Sequence, residues 1–96
     1  MLTGKQKRFL RSKAHHLKPI FQVGKVGVNE NMIVQVNEAL EKRELIKVSI
    51  LQNCMDDKET VSEELQAGTN SEIVQIIGNN IVLYKESEEN KQIELP

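Results

Sequence analysis

The apolar positions of the chain switch several times between helical and strand spacing. Phe9, Leu10, Ala14 and Leu17 fall on one broad side of a helix at 100° per residue, while Lys7, Arg8, Arg11 and His15 gather on another. Thr3 is suited to cap the start of this helix. Pro19 pushes Lys18 out of helical geometry, so the helix is expected to end near His16 or Leu17. Lys13 falls inside the apolar arc and has to snorkel. Ile20-Phe21-Gln22-Val23, bounded by Pro19 and Gly24, is β-rich and too short for a helix, so it reads as one buried strand. Beyond Gly24-Lys25-Val26-Gly27, Asn29 is a plausible cap, and Ile33, Val36, Ala39 and Leu40 repeat at helical spacing, which predicts a second helix to about Arg43.

From Leu45 to Leu51, Ile46, Val48 and Ile50 alternate with Lys47 and Ser49, the pattern of a strand with one covered and one wetter face. Two strands joined through a helix form a βαβ unit, so the sheet begins parallel. Asp56 and Asp57 suit the start of a short third helix, Val61 and Leu65 lie one turn apart, and Gly68 is a natural stop. Ile73 to Ile77 and Ile81 to Tyr84 are apolar runs separated by Gly78-Asn79-Asn80, which predicts a hairpin of two antiparallel strands closing the sheet. From Glu86 the chain is polar and mostly acidic and is expected to form a loose tail, leaving residues 1–85 as the domain.

A chain of 96 residues fits a single domain with a single core. So small a core leaves few large apolar side chains to wall a deep cavity, which argues against a roomy active site. No apolar run approaches the roughly 20 residues that cross a bilayer. The start, MLTG, leads into a charged amphipathic pattern without a signal-peptide core, so a cytoplasmic protein with no membrane association is expected. Cys54 is the single cysteine, which rules out an internal disulfide and a four-cysteine metal site.

The net charge of −1 conceals a segregation. Lys5, Lys7, Arg8, Arg11, Lys13, Lys18 and Lys25 lie within residues 1–27, which hold no acid. The other six bases share the remainder with all fourteen acids. A solvated helix face would explain the basic stretch on its own. The Gly24-Lys25-Val26-Gly27 loop adds to it. Between a strand and a helix start, Gly-x-x-Gly puts bare backbone where another chain can approach, beside the unpaired N–H groups and positive dipole end of the helix. Lys25 can reach a phosphate from one variable position, and a GXXG loop of this kind clamps nucleic-acid backbone in KH domains. Alone the motif is weak, because many strand-to-helix turns need a glycine simply to turn. Its position, its lysine and the basic helix before it favour RNA.

Catalysis finds little support. The two histidines, His15 and His16, are adjacent and about 100° apart around a helix, so they do not converge. Neither zinc spacing nor a nucleophile signature accompanies them, and Asp56-Asp57 reads better as helix-start charge than as a metal pair. No catalytic residue, metal or cofactor is expected.

The segments LTGKQKRFLRSKAHHLKPIFQVGKVGV, EALEKRELIKVSI and EIVQIIGNNIVLYK, in that order, resemble the CRM domain, the chloroplast RNA splicing and ribosome maturation module, in its stand-alone bacterial YhbY-like form. The resemblance covers residues 2 to about 85. It implies an α/β (α+β) fold, α-β-α-β-α-β-β with a mixed four-stranded sheet, similar to the C-terminal domain of bacterial translation initiation factor three. It also implies association with large ribosomal subunit precursors through the loop and the adjoining basic surface. Val26 stands where many relatives carry glycine or asparagine, so loop flexibility is expected to differ. Aromatic stacking platforms are nearly absent, which favours backbone and shape recognition of structured RNA with strong salt sensitivity. The expected RNA-contacting residues are Arg8, Arg11, Lys18 and the loop Gly24, Lys25, Val26 and Gly27, with Lys5, Lys7 and Lys47 in second rank, in a monomer. The competing class is a protein-interaction module whose basic helix meets an acidic partner, with the acidic tail mediating or masking contacts.

Overall fold

The computed structural model describes residues 2–96; Met1, with which the expected domain begins, lies outside them. The elements follow in the order α1 (Gly4–Ala14), β1 (Phe21–Val23), α2 (Glu30–Arg43), β2 (Leu45–Ile50), α3 (Lys58–Thr69), β3 (Glu72–Ile77) and β4 (Asn80–Tyr84). This is the expected α-β-α-β-α-β-β arrangement. Each helix starts on a side-chain cap: Thr3 accepts from the Gln6 N–H, Asn29 from Met32 and Asp57 from Thr60. Each cap satisfies a backbone donor that the first turn leaves unpaired.

The strands lie in the order β1-β2-β4-β3. β1 runs parallel to β2, Phe21 opposite Val48 and Val23 opposite Ile50, as the βαβ reading requires. β4 is antiparallel to both its neighbours, so the sheet is mixed. Strand alternation sends side chains to two cores. Val23, Ile46, Val48, Ile50, Ile81 and Leu83 pack with Val36 and Leu40 of α2 and Val61 and Leu65 of α3. On the other face Leu45, Val74, Val82 and Tyr84 pack with Leu10 and Ala14 of α1 and with Ile93. The sheet is therefore sandwiched between α2 and α3 on one side and α1 with the C-terminal segment on the other.

The strand bounds shift by single residues, β1 starting at Phe21, β2 ending at Ile50 and β3 starting at Glu72, and larger differences from the reading of the sequence lie elsewhere. α1 ends at Ala14 rather than His16 or Leu17; His15 caps it and the Leu17 N–H returns to Ala14 O at 2.9 Å, which lets Leu17 pack beside the α1 core. Gly68 does not stop α3. It lies inside the helix, where a Cβ would stand 2.5 Å from Ile33 Cδ1, and the helix ends instead on Asn70 in the left-handed region, φ 55°. Asn80 belongs to β4, leaving Gly78 and Asn79 as the hairpin corner with Gly78 at φ 57°.

A further difference concerns residues 86–96, expected to be loose. They form neither helix nor strand, yet two carboxylates near the end of α2 hold them. Glu44, fully buried, accepts the N–H groups of Ser87 (2.8 Å), Gln92 (2.6 Å) and Ile93 (2.7 Å). Glu41 accepts the Ser87 hydroxyl (2.7 Å) and the N–H groups of Glu88 and Glu89 (both 3.0 Å). Burial pushes the Glu44 carboxyl up, but the three backbone donors outweigh it and hold it below the usual range. Glu41, held chiefly by the Glu88 N–H, falls to about 2.

Candidate nucleic-acid interface

The glycine loop leaves the sheet directly after Val23, whose carbonyl accepts the Leu51 N–H at 2.9 Å. The Gly27 N–H then donates to Gly24 O at 3.0 Å, closing a four-residue turn with Lys25 and Val26 at its tip. Both tip side chains point to solvent, Val26 at 82% exposure. An apolar side chain held in water at a loop tip contributes nothing to the core. The two glycines have different reasons for being there. Gly27 sits at φ 76°, where an L side chain is strained, and a Cβ on it would lie 2.9 Å from Asp56 Oδ2. A Cβ on Gly24 would meet only ordinary contacts, with Asn53 Oδ1 at 3.5 Å and Leu51 Cδ1 at 3.6 Å. Asn29 follows Val28 and opens α2, so the turn lies at the helix's N-terminal, positive end.

Asp56, from the loop joining β2 to α3, lies against Gly27. Asp57 caps α3, and the Thr60 N–H holds its carboxyl below the ordinary value. Asp56 bounds the loop with negative charge on one side, so its attraction for an anion is local to Lys25 and the nearby amides.

The bases of α1 and of the segment after it lie on two flanks. Arg11 and His15 line an open groove with Gln75 and Ile77 of β3; Arg8, one turn before Arg11 and Ser12, lies on the same strip of helix, its guanidinium folded back toward Gly4. Lys18 leaves the end of α1 and shares a second groove with His16, Lys47 of β2 and Arg43 of α2. Lys5 is exposed and Lys7 half-buried on the first turns. Among the described residues, none of Lys5, Lys7, Arg8, Arg11, Lys18, Lys25 and Lys47 has an ion-pair partner, whereas Lys91 pairs with Glu86 at 2.9 Å. Lys13 turns back over the Phe9 ring, 5.5 Å from its centroid, which is how it snorkels out of the apolar arc.

Arg43 belongs to this surface and was not legible as such. Arg43 closes α2, far along the chain from Lys18, and only the parallel pairing of β1 with β2 brings the two together. Among the described residues no group of three or more histidine, cysteine, aspartate or glutamate side chains is placed to hold a metal ion, and no helix is long and apolar enough to cross a membrane.

These features describe a small α/β domain whose exposed chemistry is an open basic surface beside a glycine turn. Residues 2–85 match the CRS1 / YhbY (CRM) domain, and the chain belongs to that family. It is 76% identical over 96 residues, covering all of both chains, to the protein named "Probable RNA-binding protein YqeI" of Bacillus subtilis (strain 168). It is 39% identical over 95 residues, 99% of this chain and 95% of the other, to a protein of Haemophilus influenzae (strain ATCC 51907 / DSM 11121 / KW20 / Rd) named "RNA-binding protein". The solution structure of SAV1595 from Staphylococcus aureus superposes with a TM-score of 0.82 over the whole of both chains at 64% identity.

Proposed function

We propose that this chain is an RNA-binding protein that grips the backbone of structured ribosomal RNA with the Gly24–Gly27 turn and the bases of α1, in assembly of the large ribosomal subunit. It acts by binding rather than catalysis, in the cytoplasm and as a monomer. The observation that carries this reading is the turn itself: Gly27 at φ 76° holds Lys25 and Val26 out in solvent at the positive end of α2. A side chain at Gly27 would crowd the loop, and a phosphate meeting the tip finds an ammonium and backbone donors together. The names of the relatives in Bacillus subtilis and Haemophilus influenzae point to the same class of partner.

Arg8, Arg11, Lys18 and Lys25 carry no compensating ion pair with any described residue, so each can neutralise a phosphate and release a counterion. Four such contacts correspond to a slope of log K against log salt of about −3 to −4. The test is the binding of a large-subunit ribosomal RNA fragment by the wild type and by Arg11→Glu/Lys25→Glu across salt, with circular dichroism verifying both folds. Weaker binding by the folded variant, with a slope shallower by about 2, is expected. Equal and salt-insensitive binding would refute the proposal and turn attention to an acidic protein partner.

A further inference from the structure

The α1 side of the sheet is only half covered. α1 packs on Leu45, Val74, Val82 and Tyr84, toward the end where Leu45 pairs with Tyr84 and Tyr84 with Glu72. At the opposite end the register sets Gln22, Ser49, Asn80 and Ile77 in one row across β1, β2, β4 and β3. Lys47, Val82 and Gln75 form the row behind it. Gln22 and Ile77 are exposed, and Lys47, Ser49, Gln75 and Asn80 are partly so. Nothing in α1 or the C-terminal segment covers the front row.

Three properties make this more than an ordinary solvated strand end. The row is uncharged but for Lys47 behind it, and its borders are basic: Arg11 and His15 share a groove with Gln75 and Ile77, and Lys18 shares one with Lys47. No acid lines either groove. The side chains of Gln22, Ser49, Gln75 and Asn80 hydrogen-bond to no described residue, so three carboxamides and a hydroxyl offer all their donors and acceptors outward. Finally, the glycine turn begins one residue after Val23, the neighbour of Gln22 in β1, so a strand of RNA leaving the turn meets this row next.

We infer that this open end of the sheet is a second RNA-contacting surface, which hydrogen-bonds ribose hydroxyls and base edges of unpaired nucleotides through Gln22, Ser49, Gln75 and Asn80. The inference rests on the RNA-binding reading above and assigns a distinct role within it. The cations at the borders take phosphates, and the neutral row takes the sugar and base side. Four strands at about 4.8 Å spacing span about 14 Å, comparable to the four-stranded sheets on which other RNA-binding domains seat two or three bases. Those sheets use aromatic stacking; this row has none, so its recognition is by hydrogen bonds.

The experiment compares the wild type, Gln22→Ala/Ser49→Ala/Gln75→Ala and Lys25→Glu on the same ribosomal RNA fragment across salt, with thermal melts verifying the folds. Three lost hydrogen bonds to RNA predict an affinity lower by about tenfold or more for the triple variant. Its salt slope is expected to equal that of the wild type, because neutral side chains release no counterions. Gln22→Ala alone, which changes one exposed side chain on an edge strand, is expected to lose about threefold with the slope again unchanged and keeps the test valid if the triple variant folds poorly. Wild-type affinity in a folded triple variant or in Gln22→Ala, alongside a weakened, flatter Lys25→Glu, would overturn this inference and leave the RNA-binding reading standing. Absence of binding by the wild type would overturn both.

Discussion

Replacing Glu44 by alanine tests the way the last residues are held. Glu44 is fully buried at φ 63°, and its carboxylate is the acceptor for the N–H groups of Ser87, Gln92 and Ile93. Hydrogen bonds to a charged group contribute about 1.5–3 kcal/mol each, so three of them set a gross loss of about 5–9 kcal/mol. The variant can relieve most of that by releasing residues 86–96, whose amides then bond to water. The cost becomes that of detaching the segment, including the burial of Ile93, worth about 1.5–3 kcal/mol, and the half-buried contact of Leu95. A net destabilisation of about 3–4 kcal/mol is expected, or a fall in Tm of roughly 12–25 °C for a domain of this size. Amide exchange gives the local readout: Gln92 and Ile93 should lose protection before the β2 and β4 amides do. Glu44→Gly should cost about 1 kcal/mol less than Glu44→Ala, because glycine also relieves the left-handed backbone. Unchanged protection at Gln92 and Ile93, with a stability change below about 1 kcal/mol, would refute the clamp.

Acid should release the same segment. Glu41 is lowered from 4.5 to about 2 in the folded chain, so its contribution is full above pH 4.5 and lost as pH falls toward 2; titration of the Glu88 and Glu89 amide shifts near pH 4.5 would contradict this. Gly68→Ala ought to stabilise a helix by about 1 kcal/mol, but with its Cβ 2.5 Å from Ile33 Cδ1 it is expected to destabilise the protein instead, and the loss should shrink in an Ile33→Ala background by denaturant melts. In the glycine turn, Gly27→Ala should cost about 1–2 kcal/mol for its left-handed backbone, whereas Gly24→Ala should fall within about 0.5 kcal/mol of the wild type. Equal melting temperatures for the two would show that the turn does not depend on φ at Gly27.

What the sequence conveyed was local and periodic. The three caps, Thr3, Asn29 and Asp57, lie next to the turns they satisfy, and the alternation of Ile46, Val48 and Ile50 reports a face directly. The glycine turn was equally legible, since glycine spacing, lysine and cap fall within six residues. What escaped depends on distant partners. Gly68 resembles a helix stop until Ile33 of α2 is seen against it. Glu44 stands where a glycine would be expected, and its reason lies more than forty residues downstream. The polar composition of residues 86–96 suggested a loose tail because most of what holds them is backbone N–H bonded to Glu41 and Glu44 near the end of α2, with only Ile93 and Leu95 packing on the core from within the segment. Within the candidate interface the expected bases could be picked out singly, but the placing of Arg11 and Lys18 in two different grooves and the addition of Arg43 follow from the sheet order.

That order also governs when the domain can become whole. β4, the last strand in the chain, is an inner strand, lying between β2 and β3. Before Asn80–Tyr84 is in place, β2 has a partner on one edge only and β3 has none, so the βαβ unit and the β3 segment are separate pieces with exposed strand edges. Residues emerging from a ribosome in order therefore complete the sheet in one late step, the hairpin at Gly78 folding β4 back into the gap. A chain halted before that point carries the glycine turn and the basic helix but no continuous sheet to hold them in register.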